Sequence, residues 1–269
     1  MNELQNYMHA DMYGWSQVTS LYFDTPHREI IGRSMEKPLY KEKIRLRTYK
    51  DFSLQSQVFL ELKKKYKGIV YKRRVTMSYA AARAFIAGMD YSQAVTRYPL
   101  SNEEEQCREL DANALQIARE IRAAFNRYPQ MQESMEIRCN RCAFVSNDQE
   151  SIQESDLRIT FDTDIAYQSR MSSCVGELLP AGYVLMEVKT SLAYPLWLVR
   201  VLTDNDIFPT SFSKYGKAYE QETTLVGGVF SGAAARYYSE IRNMEEADVK
   251  TRKPTVVAMH GKHARNRAV

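Results

Sequence analysis

Between Lys41 and Arg74 the chain reads KEKIRLRTYKDFSLQSQVFLELKKKYKGIVYKRR, and its charges alternate with its apolar residues. Odd positions carry Lys41, Lys43, Arg45, Arg47 and Tyr49, while even positions include Ile44 and Leu46. Successive side chains of a strand point to opposite faces, so this pattern makes a strand with one cationic and one apolar side. The segment holds twelve Lys and Arg against Glu42, Asp51 and Glu61, a balance of +9 in a chain whose total is +4. The remaining residues are therefore net acidic. Like charges lined up on one sheet face repel unless an anion sits among them. The arrangement predicts a polyanion site built on a sheet.

The same period recurs along the chain. Strands are predicted at 17–24, 42–49, 58–65, 70–77, 135–144, 157–164 and 183–189, with a hairpin near Gly68. Helices are predicted over 79–89 and 195–203, and one more begins near Phe212. Ser101 with Glu104 reads as a capping box, opening a helix with the apolar stripe Leu110, Ala114, Ala118, Ile121 and Phe125. Strand groups broken by a few helices, without βαβ regularity, give an α+β class with a largely antiparallel sheet. Residues 1–225 form the expected domain. Residues 226–269 read as a helical-to-disordered tail.

Following the alternation, Glu61 shares a face with Lys63, Lys72 with Arg74, and Glu187 with Lys189. Arg141 and Arg158 lie on strands of their own. If these faces converge, one concave surface gathers many cations and two carboxylates. Eight antiparallel strands closed into a barrel would supply it on the inside. The competing reading is a solvated outer face, but such faces usually mix signs. Glu187 can pair with Lys189, or it can hold a hard divalent ion whose remaining ligands are water and phosphate. Ser213 and Lys214 fall near a helix start, where backbone N–H groups favour an anion. Capping is the plainer role for Ser213.

Other chemistry is not written into the sequence. There is no GxxxxGK[ST] loop and no GxGxxG after a strand. The histidines lie near the termini or in a turn. Cys139 and Cys142 form a CxxC, but on a strand they point to opposite faces, which argues against zinc. Reduced thiols imply a cytoplasmic setting. No apolar run is long enough to span a membrane. Aromatics among the basic positions are too sparse for a stacked single-stranded nucleic acid.

Taken together, SLYFDT, KEKIRLRTY, VFLELKKKYKG, YKRR, CNRCAF, DLRITFDT, LMEVK and PTSFSKYGKAY resemble, in order, the catalytic domain of the VTC polyphosphate polymerases. That family lies within the triphosphate tunnel metalloenzyme, or CYTH-like, superfamily. The resemblance covers roughly residues 16 to 220. It implies an eight-stranded antiparallel β-barrel tunnel with flanking helices. In that tunnel the γ-phosphate of ATP passes onto inorganic polyphosphate, with Mn²⁺ or Mg²⁺ as cofactor.

By motif position the resemblance assigns catalytic phosphate contacts to Arg45, Arg47, Lys63, Arg141, Arg158 and Lys214. It adds phosphate binding by Lys72, Lys189 and Ser213, and metal binding by Glu187. It implies ATP and polyphosphate as partners rather than nucleic acid. Attachment at the inner face of a membrane would come through a membrane-protein partner. Two departures stand out. The family's first strand, with its tunnel lysine, is expected to precede this chain, which would begin in the following helix. Cys139 replaces an aromatic hydroxyl. A triphosphate hydrolase of the same superfamily and a non-catalytic polyphosphate or inositol-phosphate binder are the alternatives. The hydrolases' paired ExE carboxylates are not seen on a first strand here.

Overall fold

The structure, a computed structural model, describes residues 2–49, 51–128, 130–147, 156–228 and 255–262. A 3-10 turn, Asn2–Asn6, leads into β1 (Met8–Asp24), α1 (Glu29–Met35), β2 (Tyr40–Thr48), β3 (Gln57–Tyr66) and β4 (Ile69–Ser78). Four helices follow: α2 (Tyr79–Ile86), α3 (Tyr91–Arg97), α4 (Glu103–Glu109) and α5 (Ala112–Arg127). Then come β5 (Gln132–Ser146), β6 (Arg158–Ser169), β7 (Val175–Glu177) and β8 (Tyr183–Thr190). The last elements are α6 (Leu196–Asp204), α7 (Lys214–Gly228) and β9 (Thr255–Lys262). The chain divides into two compact units. The first comprises 1–17, 138–167 and 174–269, and the second 18–137 and 168–173.

In the second unit, β2, β3 and β4 pair antiparallel, and β2 also pairs antiparallel with β1 from Thr19 to Phe23. The β3–β4 turn is Lys67–Gly68, with φ of 46° and 85°. Two positive φ values in a two-residue loop match the right-handed twist of the flanking strands, and glycine accepts one at no steric cost. The apolar face carries Leu21, Phe23, Ile44, Leu46, Leu60, Leu62, Val75 and Met77. It packs in one cluster with Phe85 of α2, Tyr91 and Val95 of α3, and Ile117, Ile121 and Phe125 of α5.

Local capping fixes where these helices begin. Ser78 Oγ accepts from Ala81 N at 3.1 Å, and Asp111 Oδ1 accepts from Ala114 N at 2.6 Å. The single helix expected from Ser101 is two helices. Asn102, not Ser101, caps α4 by accepting from Glu104 N, and Asp111 starts α5 afresh. Leu110, expected in the buried stripe, sits between them and is exposed.

In the first unit, β6 pairs antiparallel with β8, and β9 lies parallel to β8. Its core joins Leu4, Met8, Cys142, Phe144, Ile159, Phe161, Met186, Val188 and Leu198. Tyr7 stacks on Trp197 of α6 at 4.4 Å between ring centroids.

Three expectations need correction. The strands hydrogen-bond in the order β4-β3-β2-β1-β5-β6-β8-β9, with β7 on β6. The sheet is therefore open, and the closed eight-stranded barrel tunnel is not formed. Closure would require the two terminal strands of that order to pair. Among the described residues β4 pairs with β3 alone, while the second edge of β8 is occupied by β9. The start of the chain, expected to lie in a helix, is a 3-10 turn that enters β1 at Met8. Within the expected tail, Thr255–Lys262 is a strand; residues 229–254 and 263–269 lie outside the described residues.

Candidate phosphate-binding site

The register of β2, β3 and β4 stacks the expected cations in rows. Lys43 faces Lys63, which faces Lys72; Arg45 faces Glu61, which faces Arg74; Arg47 faces Phe59, which faces Thr76. Directly opposite residues of an antiparallel pair project to the same side. Lys41, Lys43, Arg45, Arg47, Lys63, Lys65, Lys72 and Arg74 thus share one face of these strands with a single carboxylate, Glu61.

Glu61 is 1% exposed. Arg45 Nε donates to its Oε2 at 2.6 Å, and Lys72 Nζ lies 2.8 Å from Oε1. Arg45 Nη1 also donates to the Tyr22 hydroxyl at 3.2 Å. Burial acts to raise the Glu61 carboxyl, but Arg45, Arg47 and Lys72 outweigh it and hold it well below the carboxylate range. Burial acts to raise the Tyr22 phenol too, but Arg45, with Lys43 and Arg47, outweighs it and lowers it. Lys43 is pushed down to about 8 by desolvation, with Lys63, Lys41 and Arg45 adding like-charge repulsion. One buried anion thus fixes two cations, while their neighbours crowd one another. A polyphosphate's oxygens would relieve that crowding.

In the first unit, Asp162 of β6 takes the corresponding place. It is 2% exposed. Arg141 grips it with two bonds, Nε to Oδ1 at 2.6 Å and Nη2 to Oδ2 at 2.7 Å. Lys214, at the start of α7, donates to Oδ2 as well and reaches Cys139 Sγ at 3.2 Å. Burial acts to raise Asp162, yet Arg141 and Lys214 bring it down to about 2. Ser213 Oγ accepts from Gly216 N at 3.2 Å, so it caps α7.

Across β6 and β8, Arg158 faces Lys189 and Thr160 faces Glu187. Lys189 Nζ lies 3.2 Å from Glu187 Oε2. Arg158 pairs with Asp11 at 2.9 Å, with its side chain 49% exposed. The expected residues thus fall into two sets. Arg45, Arg47, Lys63 and Lys72 lie together in the second unit. In the first unit Arg141 and Lys214 meet on Asp162, and Glu187, Lys189 and Arg158 share one face of β6 and β8.

Glu187 also bears on a divalent ion. Its side chain is 24% exposed. Among the described residues no group of three or more His, Cys, Asp or Glu could cage a metal. One accessible carboxylate is nonetheless the oxygen donor that Mg²⁺ or Mn²⁺ takes when phosphates and water fill the rest of the shell. The donor set fits such an ion.

Sequence reasoning passed over Asp162, Tyr22 and the buttressing role of Glu61. Asp162 carried a signal, since it alternates with Arg158 and Thr160 in LRITFD. A carboxylate on a cationic face is the natural anchor for its neighbours.

The VTC domain family model matches residues 1–222. Among solved structures, 11 chains match. One is a Vibrio parahaemolyticus protein designated a candidate adenylate cyclase. It shares 10% identity at a TM-score of 0.30, over 62% of this chain and 64% of that one. A likeness this slight carries no argument. No curated protein matches the chain in sequence.

Proposed function

Because this chain belongs to the VTC domain family, we propose that it is a polyphosphate polymerase, transferring the γ-phosphate of ATP onto a growing inorganic polyphosphate chain. The observation that carries this reading is the lopsided face of β2, β3 and β4, where a buried Glu61 fixes Arg45 and Lys72 among further cations. The superfamily acts on triphosphates, and such a face suits one.

The reaction asks little of the protein beyond placement and charge. The end of a polyphosphate is already an anionic nucleophile, so no general base is needed. What opposes reaction is repulsion between two polyanions. Cations held in place before the substrate arrives stabilise the charge spread over the transferring phosphoryl group without further reorganisation. Arg45, Arg47, Lys63 and Lys72 hold phosphate oxygens in the second unit. In the first, Asp162 orients Arg141 and Lys214 for the same task, with Arg158, Lys189 and Ser213 as lesser contacts. Glu187 would hold Mn²⁺ or Mg²⁺, which when bound neutralises phosphate charge. ATP as donor and the free thiols of Cys139 and Cys142 favour a cytoplasmic setting, with any membrane attachment through a membrane-protein partner.

The test is incubation with ATP and Mn²⁺. Long-chain polyphosphate is the expected product. Free phosphate alone would make the chain a triphosphate hydrolase. Tight triphosphate binding without turnover would make it a binder.

A further inference from the structure

The cationic face of the second unit is not uniform along its strands. Toward the β3–β4 turn its rows are lysines: Lys41 faces Lys65, and Lys63 faces Lys43 on one side and Lys72 on the other. Toward the other end aromatic carbon enters. Phe59 faces Arg47 and is nearly buried. The Arg74 guanidinium lies over its ring, with Cζ 3.8 Å from the centroid. Tyr49 meets the same ring edge-on, 5.7 Å between centroids at 73°, and is 41% exposed. The tyrosines near the lysine end, Tyr40, Tyr66 and Tyr71, belong to the opposite face: Tyr40 faces Tyr66 and Tyr71 faces Lys64, and positions 64 and 66 share the side of Leu60 and Leu62.

We propose that Tyr49, Phe59 and Arg74 form the purine-binding end of this face, so that a nucleoside triphosphate lies along the strands with its base on Arg74 and Tyr49 and its phosphates toward the lysines. The inference rests on the triphosphate reading above and adds the orientation of the nucleotide and the residues that read its base. A planar guanidinium already stacked on a ring offers its second side to another π system, as does an exposed tyrosine. Neighbouring rows on one strand face are roughly 6.8 Å apart, two residues of extended chain. The Phe59 row is therefore one step from the Arg45–Glu61 row, a suitable offset between a nucleotide's phosphates and its base. An incoming polyphosphate chain, which has no base, would occupy the lysine end.

The experiment titrates the full chain with ATP and, separately, with inorganic tripolyphosphate, comparing wild type with Tyr49→Ala and Arg74→Lys. The lysine keeps the charge and loses the plane. ATP affinity is expected to fall about fivefold or more in each variant, the loss of one stacked base, while tripolyphosphate affinity stays the same. A 2-aminopurine riboside triphosphate should lose emission on binding wild type and recover it in Tyr49→Ala. Equal losses for both ligands, or no loss for either, overturn the base site and leave the triphosphate reading standing. Failure of wild type to bind tripolyphosphate overturns both.

Discussion

Arg45 and Glu61 stand directly opposite one another on adjacent strands, and Arg45 Nε donates to Glu61 Oε2 at 2.6 Å. The pair sits in the stretch where twelve Lys and Arg outnumber three acids. Glu61 is the counter-ion that lets β2 and β4 place their cations side by side, so it acts on stability and on ligand affinity together.

Replacing Glu61 with Gln leaves Arg45 and Lys72 without that anion. Removing one partner of a buried ion pair costs several kcal/mol, so Glu61→Gln should lower unfolding free energy by about 3 kcal/mol or more. Tripolyphosphate should restore part of the loss by supplying the missing charge. Urea unfolding at neutral pH, with and without tripolyphosphate, measures both effects.

The pH dependence has a definite sign. Asp162 is held at about 2 and Glu61 lower still in the folded chain, against roughly 4 for unfolded carboxyls. A depressed folded value contributes stability above the unfolded value and loses it as pH falls through the folded one. Stability should therefore drop between about pH 4 and pH 2. Asp162→Asn should flatten that part of the curve, as read by thermal melts across an acid series.

Lys43 is depressed too, so its slope has the same sign, but the shift costs stability near neutral pH. Its folded value of about 8 lies below the unfolded lysine value of roughly 10.4. Unliganded stability from this group should rise as pH increases from about 8 to 10.4, since the unfolded chain then holds more protons. A bound polyanion should draw a proton back onto Lys43. Calorimetry of tripolyphosphate binding near pH 8, in two buffers of different ionisation enthalpy, should show proton uptake that Lys43→Met abolishes.

Glu187→Gln should remove Mn²⁺-dependent turnover of ATP while leaving the melting temperature within a few degrees of wild type. The salt bridge to Lys189 is partly exposed and is worth about 1 kcal/mol or less, whereas loss of a catalytic metal costs several. Unchanged turnover would remove the metal from Glu187.

Much of this layout could be read from period two alone. Period two puts Lys43, Arg45 and Arg47 on one face of β2, and Lys63 and Lys72 join them because burial of Leu60, Leu62 and Val75 against the helices sets the register. The pairing of Asp162 with Arg141 and Lys214 could not be read, since it joins residues from β5, β6 and α7 and depends on tertiary placement. Sheet closure was equally hidden. Whether two end strands meet is not encoded in either strand's own pattern, and β9 took the edge that closure would have needed. The first half of β1 lacked clean alternation, with His9, Met12, Tyr13 and Trp15 all exposed and Gly14 at φ 54°. α3 did carry a signal: Asp90 accepts from Ser92 N and Gln93 N, a cap opening too short an apolar pattern to stand out.

The register of β3 against both neighbours also limits how this lineage can vary. A substitution at Lys63 or Phe59 changes one contact. Deleting a single residue between Val58 and Lys65 would shift the parity of every later position in the strand, sending leucines to the charged side and lysines against the helices. Insertions and deletions should therefore gather in relatives at the loop between β2 and β3, while the count of residues along β3 stays constant even where the residues themselves diverge.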